Sequence, residues 1–162
     1  MKNLIIAIDQ STSATKAMLF NERCEMLRRV NVTHEQYYPK SGWVEHDAEE
    51  IYANTIKSIQ RLLEGRQLNA EEYTLAITNQ RETVVAWDRN TGKPVCHALV
   101  WQDIRGISIC REWRKTEYIM HLVEDRTGLK IDPSFCASKI RWILDNIEGA
   151  RQKADNGDLL VG

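Results

Sequence analysis

Residues 4–20, LIIAIDQSTSATKAMLF, decide the fold of this chain. Two short apolar runs, residues 4–8 and 17–20, stand on either side of a polar segment that extends from Asp9 to Lys16. Aliphatic and β-branched runs of this length around a polar segment predict two strands joined by a tight turn. We therefore expect an antiparallel β-hairpin as the first structural element.

The polar turn of this hairpin carries groups that suit a metal ion and a phosphate. It holds the carboxylate of Asp9, the amine of Lys16 and four hydroxyls, which belong to Ser11, Thr12, Ser13 and Thr15. A carboxylate can bind a divalent cation, and hydroxyls with exposed backbone N–H groups can bind phosphate oxygens. The alternative is an ordinary hairpin turn, because Ser, Thr and Asp are common turn residues. Since all eight glycines lie elsewhere, the segment is not a glycine-rich Walker loop.

The composition favours a single α/β domain. A chain of 162 residues, 43% of them hydrophobic, can bury one sizeable core. Its 22 basic and 23 acidic residues leave a net charge of −1, which gives no electrostatic reason to bind nucleic acid or an anionic membrane. The four cysteines form no C-x-x-C pair, which argues against a zinc site. With no apolar run long enough for a membrane span or a leader, we expect a reduced, cytoplasmic protein.

The segments after the hairpin extend the sheet and add a helix. Residues 24–32 alternate well enough to form a third strand of an antiparallel meander, and residues 33–46 have no period and predict a loop. Asp47 predicts the N-cap of a helix, with Glu50 as its capping-box partner, and Gly65 predicts its end. The apolar face of this helix should pack on the meander.

Three further strands are predicted at residues 73–78, 83–88 and 98–101. Polar clusters follow the first and the last of them, at residues 79–82 and 102–105. Ligand sites in α/β sheets tend to lie at such strand ends. We therefore regard both clusters as candidate binding regions.

Helical periodicity dominates the rest of the chain. It predicts helices around residues 107–113, 116–128 and 135–144, a short helical turn at 148–154 and a strand at 159–161. A strand without a partner leaves an exposed apolar edge. The last strand therefore leads us to expect a polypeptide that is incomplete at its C-terminus.

The adjacent residues Arg81 and Glu82 could bind neighbouring hydroxyls, because arginine offers only donors and glutamate only acceptors. Such a pair suits a polyol; the alternative is a surface ion pair worth about 0–1 kcal/mol. Trp101 could present an apolar face to a carbon skeleton, although a core position is the alternative. The four histidines show no ligand spacing and no adjacent nucleophile, so we assign them no chemistry.

Five stretches together resemble, in this order, the N-terminal part of the FGGY carbohydrate kinases and, within them, the glycerol kinases. They are AIDQSTSATKAMLF (7–20), GWVEHDAEEIYA (42–53), AITNQRETVVAWDRNTGKPV (76–95), LVWQDIR (99–105) and GLKIDPSFCASKIRWILDN (128–146). The resemblance extends from Leu4 to Gly162. It implies an actin-like, ribonuclease-H-like ATPase domain: a mixed sheet with an N-terminal antiparallel meander and flanking helices. It also implies Mg²⁺-dependent transfer of the γ-phosphoryl group of ATP to a polyol or sugar hydroxyl, with glycerol converted to glycerol 3-phosphate as the first expectation.

The resemblance also implies roles for individual residues. Asp9 matches a metal-associated aspartate, and Lys16 stands where the family usually has arginine. Thr12 and Ser13 match phosphate-binding hydroxyls. The substrate side is matched by Arg81 and Glu82, which bind glycerol hydroxyls in the family, and by Trp101.

Two positions depart from the family pattern. Ser11 stands where the phosphate loop usually has glycine, so a different or strained turn is expected. Ser134 stands where glycerol kinases have the tyrosine of I-D-P-Y-F, and the loss of a phenol would remove a hydrogen bond and enlarge the substrate pocket. A longer polyol or a ketose therefore remains an open alternative to glycerol.

The resemblance covers only the N-terminal part of the family's length. We expect residues 1–162 to be a partial N-terminal kinase domain, with the second, ATP-binding domain and the general-base aspartate lying beyond Gly162. This chain alone is then expected to be inactive. A non-catalytic polyol- or nucleotide-binding module completed by a partner is the alternative from another functional class. The expected ligand is a small polyol or sugar, and a homo-oligomer is left open for the full-length protein.

Overall fold

A computed structural model describes residues 4–66 and 70–162 of the chain. The chain divides into two compact units, one made of Met1–Gln36 and Asp47–Gln80 and the other of Tyr37–His46 and Arg81–Gly162. In chain order the elements are β1 (Leu4–Gln10), β2 (Ala14–Asn21), β3 (Met26–Thr33), β4 (Glu45–His46), α1 (Ala48–Leu62), β5 (Tyr73–Thr78), β6 (Ala86–Asp88), β7 (Ala98–Leu99), α2 (Ile107–Trp113), α3 (Glu117–Thr127), α4 (Cys136–Asn146), α5 (Ala150–Asp155) and β8 (Leu159–Val161).

The first unit is built on a four-stranded mixed sheet with the order β3-β2-β1-β5. The strands β1, β2 and β3 form the predicted antiparallel meander, and β5 pairs with β1 in parallel. In the β1–β2 register Asp9 lies opposite Lys16, so the two charged ends of the hairpin face each other across the ladder. This sheet confirms the hairpin predicted from residues 4–20.

Helix α1 packs against β2 and β3. Asp47 is its N-cap, as predicted, and its side chain accepts hydrogen bonds from the N–H groups of Glu49 (2.8 Å) and Glu50 (3.4 Å). The predicted capping box is wrong, because the Glu50 carboxylate instead accepts the N–H of Glu35 at 3.2 Å. The core beneath the helix is apolar and consists of Ile6, Ile8, Ala17, Leu19, Leu62, Leu63 and Tyr73.

Strand β5 is the least covered strand of this sheet. Leu75 and Ile77 lie beside Ile6 and Ile8 in the parallel register, yet they are 53% and 61% exposed, whereas the β1 residues are buried. The difference in exposure arises because α1 packs over β2 and β3, whereas β5 lies at the opposite edge of the sheet, beyond β1. Among the described residues β5 pairs on one edge only, with β1.

The second unit combines two short antiparallel ladders, β4 with β7 and β6 with β8, with helices α2 to α5. Its apolar core consists of Val84, Ala86, Leu99, Ile143 and Ala150. The structure differs from two of the predictions. The loop expected at residues 33–46 ends in a strand, β4, and the last strand is not an unpaired edge, because β8 pairs with β6. None of the described helices has both the length and the apolar character needed to cross a membrane.

Candidate functional site

The turn between β1 and β2 is closed by Ser11. Its N–H and its hydroxyl both donate to the carbonyl of Ala14, at 3.1 and 2.8 Å. Its own carbonyl accepts hydrogen bonds from Nε2 of His34 (3.0 Å) and from Nε2 of Gln80 (3.1 Å). The strained turn that we expected at Ser11 is not observed, because the left-handed backbone conformations of non-glycine residues occur at Cys24 and Glu82 among the described residues.

Polar side chains beneath this turn hold it in one conformation. The buried hydroxyl of Thr15 donates to Oε1 of Gln10 at 2.8 Å, and Nε2 of Gln10 donates to the hydroxyl of Thr55 on α1. Asn54, also on α1, donates from Nδ2 to the carbonyl of Thr33 at 3.1 Å. Buried hydrogen-bonded networks of this kind specify a single arrangement, so the turn is anchored to both the sheet and the helix.

Asp9 and Lys16 form an ion pair at the base of the turn, with Nζ and Oδ2 2.9 Å apart. Their side chains are 34% and 29% exposed, so both groups remain accessible. In the described part of the chain, no group of three or more His, Cys, Asp and Glu side chains is placed to hold a metal ion. Asp9 thus offers one carboxylate, which suits Mg²⁺ because this ion is commonly held by one or two carboxylates together with phosphate oxygens and water.

Glu82 has a constrained backbone and a fixed carboxylate. Its φ angle of 66° lies in the left-handed region, which costs a residue with a Cβ about 1–3 kcal/mol. Its Oε2 accepts two hydrogen bonds from Cys136, one from the backbone N–H and one from the thiol, both at 3.1 Å. Strain of this kind persists only when neighbouring groups impose it and is frequent at binding sites.

The loop that precedes α4 is held at both ends. At its start, the Arg114 guanidinium donates to the carbonyl of Ile131. At its end, Nζ of Lys139 donates to the carbonyl of Ser134 and, at 3.3 Å, to that of Phe135. Lys139 is fully buried, and this burial lowers the pKa of its amine.

Within this loop, Ser134 bonds to Asp132. Its N–H and its hydroxyl donate to Oδ1 of Asp132, at 2.9 and 2.6 Å. These two hydrogen bonds hold the pKa of the Asp132 carboxyl below its usual value, and the bond from the hydroxyl contributes most. The hydroxyl of Ser134 therefore stabilises the loop itself.

Arg81 and Trp101 are exposed, and Trp101 is 43% exposed. The backbone N–H of Trp101 donates to the hydroxyl of Thr83 at 3.3 Å. Arg81 and Glu82, both among the described residues, form no ion pair with each other. The surface ion pair that stood as the alternative for these two residues is therefore absent, and the Arg81 guanidinium is available to a ligand.

A cavity of about 270 Å³ lies next to Glu82. Its polar lining includes Glu82 and Asp132, and its apolar lining includes Trp113, Leu129 and Phe135. Lys130 also lines this space. A space with an apolar wall and charged groups of both signs could accept a small molecule that has both hydroxyls and a carbon skeleton.

A buried ion-pair network follows Trp101. Arg105 donates to both carboxylate oxygens of Asp103, at 2.9 and 2.7 Å, and to Glu45 at 2.6 Å. Its guanidinium lies over two indole rings that meet edge to face, 3.8 Å from the centroid of Trp43 and 4.6 Å from that of Trp142. The polar cluster predicted at residues 102–105 is thus mainly structural, because Asp103 and Arg105 are buried and bind each other.

The FGGY family of carbohydrate kinases, N-terminal domain, matches residues 4–161. The chain belongs to this family. The resemblance inferred from the sequence motifs is thereby confirmed.

Relatives within the FGGY kinases include enzymes that are much longer than this chain. It is 50% identical to glycerol kinase 1 of Thermotoga maritima over 159 residues, which cover 98% of this chain and 32% of that protein. It is 36% identical to the glycerol kinase of Plasmodium falciparum, solved with ADP, with a TM-score of 0.86 and coverage of 99% of this chain and 32% of that one. The chain therefore spans about a third of the length of these relatives.

A more distant solved structure shares the fold alone. The gluconate kinase of Lactobacillus acidophilus is 20% identical, with a TM-score of 0.78, over 88% of this chain and 28% of that one. The mixed α/β structure and these neighbours confirm the predicted actin-like, ribonuclease-H-like ATPase fold.

Several residues that shape these sites were missed by sequence reasoning about this FGGY domain. Cys136 and Lys139 contact the candidate substrate residues, while His34 and Gln80 anchor the turn at Ser11. A signal existed for two of them: Gln80 lies in the polar cluster at residues 79–82, and Lys139 precedes the buried Ile143 by four residues and so lies on the inner face of α4. The contacts of Cys136 and His34 depend on tertiary structure that no local pattern encodes.

Proposed function

We propose that this chain is the N-terminal domain of an ATP-dependent polyol kinase that phosphorylates glycerol to glycerol 3-phosphate. The observation that carries the proposal is Glu82, whose carboxylate is fixed beside a small cavity within a chain that matches the FGGY domain from residue 4 to residue 161. Phosphoryl transfer depends mainly on positioning and on stabilisation of charge, so fixed polar groups are the protein's main contribution to it.

On the substrate side, we assign binding roles to four residues. Arg81 donates to substrate hydroxyl oxygens and Glu82 accepts from substrate O–H groups. Trp101 offers its exposed ring to the carbon skeleton. Ser134 belongs to the proposed substrate loop, where its hydroxyl is bound to Asp132, and a serine in place of the tyrosine expected from the family pattern removes the bulk of a phenol from that loop. A longer polyol or a ketose is therefore the second candidate substrate.

On the nucleotide side, the β1–β2 turn supplies the candidate groups. Asp9 would hold Mg²⁺, and Thr12, Ser13 and Lys16 would bind phosphate oxygens of ATP. When bound, the ion neutralises negative charge on the phosphates. The hydrogen bonds of Ser11, Gln10 and Thr15 keep the turn in place, which lowers the entropy lost on binding.

We assign the complete activity to a full-length protein that contains this chain, because the chain spans only about a third of its glycerol kinase relatives. The general-base aspartate and the second, ATP-binding domain are proposed to lie outside these 162 residues. We expect no phosphorylation of glycerol by the chain alone. A cytoplasmic location is consistent with four cysteines that are all free thiols.

The substrate proposal is tested with the full-length protein and a panel of glycerol, tetritols, pentitols and pentuloses. Glycerol is expected to give the highest kcat/KM, and Arg81→Ala is expected to lower that value by about 10-fold or more, because a charged hydrogen bond is worth about 1.5–3 kcal/mol. Lys57→Ala, on the exposed face of α1, is the control. Unchanged kinetics of the Arg81 variant would show that this residue does not bind the substrate. A protein that phosphorylates none of these substrates would refute the proposed polyol kinase function.

The same panel separates glycerol from the second candidate. Ser134→Tyr is expected to shift preference from longer substrates towards glycerol. An unchanged preference would show that Ser134 does not determine specificity.

The nucleotide proposal is tested by titrating Mg²⁺ against activity in Asp9→Asn. The neutral amide is expected to raise the Mg²⁺ concentration needed for half-maximal rate, while thermal stability stays close to that of the wild type. An unaltered Mg²⁺ dependence would count against Asp9 as the metal residue.

A further inference from the structure

Cys136 makes an unusual pair of contacts with Glu82. Its N–H and its thiol both donate to one carboxylate oxygen, Oε2, at 3.1 Å each. The other oxygen, Oε1, takes no hydrogen bond from any residue in the described part of the chain. One oxygen of Glu82 is thus occupied by protein donors and the other remains open to a ligand.

We propose that Cys136 is a positioning residue for substrate recognition, which fixes Glu82 through Oε2 so that Oε1 accepts the substrate hydroxyl. This inference rests on the proposed polyol kinase function. It extends that function, because it adds a residue that touches no substrate and acts through the carboxylate that does.

The backbone of Glu82 explains why such a residue is needed. The left-handed conformation at φ 66° is unfavourable for glutamate and needs a compensating contact. Cys136 supplies that contact from the first residue of α4, where an N–H group that lacks a partner within the helix favours a carboxylate. Lys139 keeps the donors in place, because it holds the carbonyls of Ser134 and Phe135 immediately before Cys136.

The thiol remains a donor at neutral pH. Burial, together with the hydrogen bond and negative charge of Glu82, raises the pKa of Cys136 to about 11. The proton therefore stays on sulfur, and the S–H group can bind the carboxylate throughout the physiological range.

Kinetics of the full-length protein test the positioning role. Cys136→Ala is expected to raise KM for glycerol about 3- to 10-fold with a smaller change in kcat, because a weak donor to a charged acceptor is lost while the backbone N–H remains. Cys136→Ser should restore KM, since the hydroxyl is also a donor. Cys96→Ala is the matched control: its thiol is also half-buried with a pKa of about 11, but it does not contact Glu82.

The outcomes separate this inference from the function on which it rests. If Glu82→Ala leaves KM unchanged, the proposed role of Glu82 fails. If Glu82→Ala raises KM but Cys136→Ala does not, the positioning role alone is refuted. Equal increases in the Ala and Ser variants also refute it, because packing rather than hydrogen bonding would then explain the effect.

A second measurement does not depend on activity. In the full-length protein, Glu82→Gln is expected to increase the rate at which iodoacetamide alkylates Cys136 by about 3- to 10-fold, since each unit by which the pKa falls raises the thiolate fraction about tenfold. The rate at Cys96, followed by peptide mass spectrometry in the same sample, should not change. An unchanged rate at Cys136 would show that the thiol and the carboxylate do not interact in solution.

Discussion

Asp88 shows how a single carboxylate can join a turn to a helix. Its Oδ1 accepts the N–H groups of Asn90 (2.8 Å) and Thr91 (2.9 Å), and its Oδ2 forms an ion pair with Lys153 on α5. The Lys153 hydrogen bond is the main cause that lowers the pKa of Asp88 to about 2. The ionised carboxylate is therefore the form that the folded chain favours.

We predict that Asp88→Asn loses stability in a pH-dependent way. Because the folded-state pKa is depressed, the contribution of Asp88 is complete above the unfolded-state pKa near 4 and is lost as pH falls towards about 2. Denaturant melts should show a lower midpoint for the variant at pH 7 and converge with the wild type near pH 2. Asp155→Asn, on the exposed end of α5, is the control. A difference in denaturation midpoint between variant and wild type that does not change with pH would contradict the ion pair.

Single residues also show which parts of the site the sequence could and could not predict. Arg81 and Glu82 could be proposed because adjacent donor and acceptor side chains suit a polyol. The left-handed backbone of Glu82 could not, since neither residue type nor spacing encodes it. A strained turn was expected at Ser11 because the family usually has glycine at this position. The structure shows that serine closes the turn through hydrogen bonds with Ala14, His34 and Gln80.

Among the secondary-structure elements, the packing of α2 on α4 depends on one close approach. Gly106, the N-cap of α2, has an ordinary φ of −75°, so its backbone does not require glycine. A Cβ at this position would lie 2.5 Å from Oγ and 2.7 Å from Cβ of Ser138 on α4. Glycine is therefore required because the space between the two helices does not hold a Cβ atom at this position.

We predict that Gly106→Ala destabilises the protein by about 1–3 kcal/mol through overpacking. Ser138→Gly removes the atoms that clash, so the double variant should be more stable than the sum of the two single changes indicates. Chemical denaturation of the four proteins measures this coupling. Additive free energies of unfolding would show that the two residues do not meet.

Prediction of elements succeeded where a local pattern was long enough. The meander and α1 follow from runs of seven residues or more and from the Asp47 cap. The ladder of β4 with β7 could not be predicted, because each strand has two residues and the partners lie more than fifty positions apart. The capping box at Glu50 was wrong because a tertiary contact with Glu35 competes for the same carboxylate.

At the scale of the whole molecule, family membership follows from motifs distributed along the entire chain. The match from residue 4 to residue 161 confirms what those motifs indicated, and the mixed sheet confirms the fold class. Composition alone supported only an α/β domain. The ion-pair network around Arg105 could not be foreseen, because its members come from three separate segments, at Glu45, Asp103–Arg105 and Trp142.

Strand β5 has a consequence for how the purified chain behaves in solution. Among the described residues the outer edge of β5 has no strand partner, and such an edge, flanked by the exposed side chains of Leu75 and Ile77, is a template for pairing with a second copy. We predict that the 162-residue chain self-associates with increasing concentration. Sedimentation velocity should detect this, and Ile77→Lys should reduce it by adding charge repulsion, whereas Tyr52→Lys, on the exposed face of α1, should not. A monomer at every concentration would contradict the prediction, while confirmed association would set the protein concentration to be used in each ligand-binding experiment.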